Sequence, residues 1–436
     1  MIDMGNKPFN LLVGVSEGLK GIVKAPPSKS YTTRAIIIGS LSQKAKVINP
    51  LACDDTLSAV KAWKRLGADI KIKGGSLEIK GLAGKLNYKN RSINVGESGT
   101  LLRMMMPILA LGKGRFVING KGTLLKRPNK PMAQALLALG VDIRGRDKDF
   151  RLPIILESKG GIPGGIVKVD ANMSSQVISS LLNIAPFIGK DTSVIIKDKL
   201  VSAPYIDITI DVLNNAGIKI QKRQGNRFFI AARQGLKPVL KFVVHGDYSS
   251  AAFLIAASCL VQSDVTIKDL VKDKQGDKEI VSILRKMGAK IIRQESSINI
   301  KGPFALKGVE INCRNTPDLV PVLCVLGCFA RGVTHIRDIG HLAYKESNRI
   351  IAPVKELKRL GARISISNND LVIRQSVLRS GHVDSWGDHR IAMALVIAGL
   401  KTGRVVIKNA GCISKSYPDF IKDLKLLGAD LKVLPR

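Results

Sequence analysis

The chain has 436 residues, 69 Lys and Arg against 34 Asp and Glu for a formal charge of +35, and only 4% aromatic residues. That length predicts at least two domains of ordinary size. The longest apolar stretches, around 251–261 and 319–330, are too short to cross a membrane as helices.

The opening M-I-D-M-G-N-K lacks the apolar core of a secretory signal, so the expectation is a soluble, cytoplasmic protein. The excess of positive charge suits an anionic partner, either a nucleic acid or a small phosphorylated substrate. Long blocks of like charge are absent and aromatic stacking platforms are scarce, so charge leaves that choice open. Six scattered cysteines (Cys53, Cys259, Cys313, Cys324, Cys328, Cys412) form no C-x-x-C pair and have no His at ligand spacing. They read as buried thiols of a reducing compartment, and no metal is expected.

Strand-like material opens the chain in F-N-L-L-V-G-V and G-I-V-K-A. A helix then starts at P-S-K-S-Y-T-T-R-A-I-I-I and runs into an almost wholly apolar stretch, as a buried helix does. Five further starts of the same kind follow: V-G-E-S-G-T-L-L-R, D-A-N-M-S-S-Q-V-I, H-G-D-Y-S-S-A-A-F, N-T-P-D-L-V-P-V-L and W-G-D-H-R-I-A-M-A. After each start by 37 to 43 residues, an amphipathic helix such as 352–360 ends on a glycine. The six glycines are Gly67, Gly140, Gly217, Gly288, Gly361 and Gly428, spaced by 73, 77, 71, 73 and 67 residues. Alternating hairpins follow, clearest after Gly67 (Ile70, Ile72, Gly74-Gly75, Leu77, Ile79) and after Gly361 (Ile364, Ile366, Asn368-Asn369, Leu371, Ile373).

A fixed period marks one supersecondary unit used six times. The sixth unit is short of a strand after Gly428, and the N-terminal strand is expected to complete its sheet. One domain is then discontinuous, 1–26 with 246–436, against a continuous 27–245, with three units in each and the active site in the cleft between them.

Helix N-termini offer free N–H groups and partial positive charge, and so bind anions. Basic residues stand near these starts: Lys29 and Arg34, Arg103, Arg127, Lys345 and Arg349, Arg390 and Lys415. Ser, Thr, Asn or Asp at any one start reads first as an ordinary N-cap. A Lys or Arg in a first turn opposes the helix dipole, however, so the set as a whole points to a bound anion. Asp318 and Glu346 stand among these cations, either as salt-bridge partners or as the proton carriers an enzyme needs.

At these residues the chain closely resembles the 5-enolpyruvylshikimate-3-phosphate synthases (3-phosphoshikimate 1-carboxyvinyltransferases). The matches are P-S-K-S-Y-T-T-R-A (27–35), S-G-T-L-L-R (98–103), K-R-P (126–128), S-S-Q (174–176) and L-V-S-A-P-Y-I-D-I-T (200–209). G-D-Y-S-S-A-A (246–252), K-E-S-N-R (345–349), G-D-H-R-I-A-M (387–393) and K-S-Y-P-D-F (415–420) continue them in family order.

The resemblance implies an α/β fold, a two-domain inside-out α/β barrel of six β-α-β-α-β-β repeats. It implies transfer of the enolpyruvyl group of phosphoenolpyruvate to shikimate 3-phosphate by a monomer, with no organic cofactor, metal, nucleic acid or membrane involved. It places shikimate 3-phosphate on Lys29, Ser30, Arg34, Ser174, Ser175, Gln176, Ser202, Tyr205, Asp318 and Lys345. Phosphoenolpyruvate falls to Lys29, Gly99, Arg127, Gln176, Arg349, Arg390 and Lys415. Asp318 would assist loss of the 5-hydroxyl proton, and Glu346 or Lys29 would protonate the enol carbon.

Glu97, Ser98 and His341 depart from the commoner family residues. Glu97 beside an anion requires that it turn away or pair with a cation. Two rival readings remain. The sister enzyme that acts on UDP-N-acetylglucosamine carries a reactive Cys or Asp in a loop that here reads G-K-G-T-L-L-K-R-P-N-K-P. A basic nucleic-acid-binding repeat protein would suit the charge but not Asp318 and Glu346.

Overall fold

The computed structural model describes residues 9–84, 91–184, 187–232 and 234–434, and the opening M-I-D-M-G-N-K lies outside them. The chain divides into two compact units, residues 1–26 with 245–436 and residues 27–244.

Each unit holds three four-stranded sheets of one design: a parallel pair of strands, then two more strands added antiparallel. In the continuous unit, Val239–Val243, Lys44–Ile48, Ser76–Lys80 and Asp69–Lys73 lie side by side in that order. The hairpin there pairs Ile72 with Leu77 and Lys73 with Ser76, and Gly74 and Gly75 turn at φ of 52° and 70°. Two positive φ values in succession are what a two-residue hairpin turn demands. The discontinuous unit repeats the design. In its last sheet the N-terminal strand Asn10–Val13 lies between Val405–Lys408 and Leu431–Leu434, which makes good the strand missing after Gly428.

Two strands depart from a simple tandem repeat. Leu19–Lys24, just ahead of the first buried helix, pairs with Ser263–Lys268 in the discontinuous unit. Val239–Val243, just ahead of the fourth, pairs with Lys44–Ile48 in the continuous unit. Where the chain passes from one unit to the other, the leading strand of a repeat therefore stays with the unit being left.

The six periodic glycines share one local chemistry. All have positive φ, from 77° to 115°. The residue after each sends its N–H back to the helix in the six-to-one bond of a Schellman stop: Ala68 to Trp63, Val141 to Leu136, Ile218 to Leu213, Ala289 to Leu284, Ala362 to Leu357 and Ala429 to Leu424. A side chain at that φ collides with its own carbonyl, so glycine recurs.

The helices upstream are the cores. Tyr248–Leu260 is buried at every position, as are nearly all residues of Val320–Phe329 and His389–Thr402. Lys29–Leu41, Gly99–Ala110 and Gln176–Ile184 do the same in the continuous unit. All six cysteines are buried thiols, and burial pushes those of Cys259, Cys313 and Cys328 up to about 12.

Candidate active site

The first cluster lies in the continuous unit, at the starts of its buried helices. Ser28 caps Lys29–Leu41 by accepting from the Tyr31 N–H. Lys29 is the first helical residue, and its ammonium lies 3.0 Å from the Asp55 carboxylate. Asp55 sits in the first turn of the neighbouring helix Asp54–Leu66. The cation that opposes one helix dipole is thus met by a carboxylate that another dipole favours.

Arg34 is buried on the same helix. It donates from Nε to Thr209 Oγ1 at 2.7 Å, from Nη1 to the Ser30 carbonyl at 3.0 Å and from Nη2 to the Tyr205 carbonyl at 3.1 Å. Burial pushes its guanidinium down to about 10, against the opposing influence of Tyr205 and Tyr31. Arg34 therefore ties the segment carrying Tyr205 to the segment carrying Ser30.

At the next start, Ser98 accepts from the Leu101 N–H and caps Gly99–Ala110. A Cβ at Gly99 would meet Arg127 Nη1 at 2.5 Å, so the missing side chain lets the guanidinium lie against the helix start. Arg103 donates from Nη1 to Gln176 Oε1 at 2.6 Å, and Gln176 Nε2 donates to Thr100 Oγ1 at 2.9 Å. Glu97 Oε2 accepts from the Thr123 N–H at 3.1 Å, at the start of the turn Gly122–Lys126.

Ser174 accepts from the Gln176 N–H at 3.2 Å, and Ser175 beside it is buried. Ser202 is held at φ of 56°, and its buried hydroxyl has no protein partner among the described residues. A buried hydroxyl without a bond is costly, and residues in such backbone conformations gather at ligand sites.

The second cluster lies in the discontinuous unit. Arg349 is shut off from solvent and touches three carboxylates. Asp388 takes Nε at 2.7 Å and Nη2 at 3.0 Å, Asp318 takes Nη1 at 2.7 Å, and Glu346 takes Nη2 at 2.8 Å. Burial opposes its charge, but Asp388, Glu346 and Asp318 more than offset that and hold it firmly cationic.

Arg390 lies 3.3 Å from the other Asp318 oxygen and donates to the Ser249 carbonyl at 2.7 Å. Burial alone would raise the Asp318 carboxyl; Arg390, Arg349 and Lys345 overcome it and keep the group ionised well below the usual carboxylate range. Lys415 donates to the Gly387 carbonyl at 2.9 Å, and His341 is buried in the turn Gly340–Tyr344.

One sequence expectation changes. Only Lys29 and Arg390 lie in the first turn of a buried helix. Lys345 and Lys415 end short 3-10 turns, and Arg349 precedes the helix Ile351–Arg359. Three of these cations also meet carboxylates of the protein itself: Lys29 meets Asp55, Arg349 meets Asp318, Glu346 and Asp388, and Arg390 meets Asp318. Asp388 was legible as the Asp of G-D-H-R. Thr209 and Ser249 lie inside the L-V-S-A-P-Y-I-D-I-T and G-D-Y-S-S-A-A stretches, though nothing local says which cation each meets, and Asp55 stands outside every such motif.

Among the described residues, no group of three or more His, Cys, Asp or Glu could hold a metal ion, and no helix is long and apolar enough to cross a membrane.

Residues 14–424 match the profile of EPSP synthase (3-phosphoshikimate 1-carboxyvinyltransferase). The 3-phosphoshikimate 1-carboxyvinyltransferase of Methanocaldococcus jannaschii is 41% identical over 430 residues, 98% of this chain and 100% of that protein. That of Methanococcus aeolicus is 39% identical, over 97% of this chain and 100% of its own length. The EPSP synthase structure from Acinetobacter baumannii superposes with a TM-score of 0.81 at 25% identity, covering 98% of this chain and 100% of that one. With the family profile spanning both units and the relatives matched end to end, the chain belongs to the EPSP synthase (3-phosphoshikimate 1-carboxyvinyltransferase) family.

Proposed function

We infer that this transferase moves the enolpyruvyl group of phosphoenolpyruvate to the 5-hydroxyl of shikimate 3-phosphate and releases phosphate, a step of the shikimate pathway toward chorismate and the aromatic amino acids. The observation that carries the reading is the ionised Asp318 carboxylate, held between Arg349 and Arg390 with Glu346 alongside. It combines a proton acceptor with cations suited to phosphate and carboxylate oxygens.

In this reading Ser174, Ser175, Gln176 and Ser202 take the shikimate phosphate, with Lys29, Ser30, Arg34 and Tyr205 nearby. The Ser202 hydroxyl, which has no partner among the described residues, supports that assignment. Asp318 and Lys345 hold the ring hydroxyls. Lys29, Gly99, Arg127, Gln176, Arg349, Arg390 and Lys415 take phosphoenolpyruvate. Because Arg349 is fully engaged with carboxylates, the incoming anion exchanges with one of them rather than meeting a bare cation.

The reaction is an addition followed by an elimination. Asp318 accepts the 5-hydroxyl proton as that oxygen attacks the enol carbon bearing phosphate, while Glu346 or Lys29 delivers a proton to the methylene carbon. The tetrahedral centre then expels phosphate as the neighbouring methyl carbon, protonated in the addition, gives a proton back. Holding two reactants in attack geometry supplies roughly 7–11 kcal/mol, and the cations stabilise the charge that develops. The enzyme works as a cytoplasmic monomer, without metal, organic cofactor or nucleic acid.

The test is phosphate release with both substrates and with each omitted in turn. Release must require both. Turnover with UDP-N-acetylglucosamine in place of shikimate 3-phosphate would favour the sister reaction.

A further inference from the structure

Behind the Asp318–Arg390 pair lies a carboxyl that the proposed chemistry does not use. Asp277 sits in the short turn Gly276–Glu279 and is 2% exposed. Its Oδ2 accepts from the Ser249 hydroxyl at 2.5 Å, while its Oδ1 is buried with no protein partner among the described residues. Ser249 in turn offers its carbonyl to Arg390 Nη1 at 2.7 Å, and Arg390 Nη2 lies 3.3 Å from Asp318. Four residues thus form one line: Asp277, Ser249, Arg390, Asp318. The turn is pinned in place by Gln275, which accepts from the Tyr248 N–H at 3.0 Å and donates to the Gly246 carbonyl at 2.8 Å.

The charged and titratable groups that act on Asp277 or feel it are Asp318, Arg390, Asp247 and the Cys313 thiol. Lys278 and Glu279 flank it on its own turn. Burial first, then Asp318, pushes the Asp277 carboxyl up to about 7, against the pull of the Ser249 hydroxyl and Arg390. An ionised Asp277 would leave a bare charged oxygen in the interior. It would also claim part of the field of Arg390.

We propose that Asp277 is a positioning residue for phosphoenolpyruvate: protonated, it leaves the charge of Arg390 to the substrate, and ionised, it competes for that charge along the line through Ser249. The inference rests on the enolpyruvyl-transfer reading, within which Arg390 grips phosphoenolpyruvate.

The sign follows from linkage. An anion at Arg390 disfavours the ionised carboxyl, so substrate and proton bind together. As pH rises through about 7 and Asp277 ionises, the KM for phosphoenolpyruvate increases.

The experiment measures kcat and KM for phosphoenolpyruvate from pH 6 to 9 in wild type, Asp277→Asn and Ser249→Ala. Asparagine keeps the shape and accepts from Ser249 but cannot ionise. The wild-type and Asp277→Asn KM values should agree at pH 6 and separate by about tenfold by pH 8.5, for a coupling of one pKa unit. The kcat values should stay together. Ser249→Ala removes the one hydrogen bond that favours the ionised carboxyl and should move the wild-type rise to higher pH.

Parallel KM profiles in wild type and Asp277→Asn, or a loss confined to kcat, overturn the proposal. Should Asp277→Asn not fold, an unmoved profile in Ser249→Ala overturns it equally. A wild-type enzyme that releases no phosphate with both substrates present refutes the reaction instead, and that outcome is read before any variant is compared.

Discussion

Asp318 and Arg349 meet at 2.7 Å, the guanidinium 1% exposed and the carboxylate 20% exposed. The cation is the buried partner and the anion the accessible one. A structural ion pair has no need of that asymmetry, whereas a carboxylate that must reach a substrate hydroxyl does. Asp318→Ala should therefore lower kcat by a factor on the order of 10²–10⁴, with the KM for either substrate changing by less than about tenfold. Phosphate-release kinetics decide it. A large loss in affinity with kcat intact would make Asp318 a binding residue only. Because the Asp318 carboxyl titrates below its ordinary range in the folded protein, its contribution to stability is complete above the unfolded value near pH 4 and is lost as pH falls through the folded one.

Ser202 separates binding from folding. Its hydroxyl makes no bond within the described protein, so Ser202→Ala removes nothing the fold relies on. Stability should stay within about 0.5 kcal/mol of wild type. Lost hydrogen bonding to a charged phosphate is worth about 1.5–3 kcal/mol, so the KM for shikimate 3-phosphate should rise roughly tenfold to a hundredfold. Thr209→Val is the control. Thr209 Oγ1 accepts from Arg34 Nε and donates to the Tyr205 carbonyl, so that variant should lower the unfolding temperature as well. A destabilised Ser202→Ala with unchanged KM would remove Ser202 from the phosphate site.

What was legible in the sequence was local. The periodic glycines could be found because each helix stop is written in a few adjacent residues, and the Gly74-Gly75 and Asn368-Asn369 hairpins for the same reason. The parallel partners of the two exchanged strands, Leu19–Lys24 and Val239–Val243, were not legible. Both alternate as any half-buried strand does, and a parallel partner is chosen by tertiary packing that no nearby residue reports. The site divides in the same way. Its cations stand in recognisable motifs, as do most of the groups that answer them, but which group meets which cation is not written locally. Arg34 meets Thr209 across 175 residues and Arg390 meets Ser249 across 141. At Lys29 the first-turn cation also meets a carboxylate, Asp55, which comes from another helix and left no local signal.

Gly140 tests whether the repeat rests on backbone conformation. Its φ is 77°, and a Cβ added there would meet nothing within 4 Å. Any cost of Gly140→Ala is therefore conformational, about 1–2 kcal/mol for a residue with a Cβ in the left-handed region. For units of this size that corresponds to roughly 2–8 °C in unfolding temperature. Gly140→Asn should cost less, since asparagine tolerates this region. Equal losses for Ala and Asn would point to packing instead.

Asp277 makes an opposite prediction about stability. The folded protein binds its carboxyl proton more tightly than the unfolded chain does, with the value raised from 3.8 to about 7. Below the unfolded value both states are protonated and nothing is lost. As pH rises from about 4 to about 7 the unfolded chain releases the proton first, so wild-type stability falls, by up to about 1.4 kcal/mol per pH unit. Above about 7 both states are ionised and the loss is complete. Asparagine at 277 carries no such penalty. The unfolding free energy of Asp277→Asn relative to wild type, from urea titrations at several pH values, should therefore climb between pH 4 and 7 and then level off. A difference that does not change with pH would mean that Asp277 is ionised in the folded protein as readily as in water. The proton switch at Arg390 would then have no source.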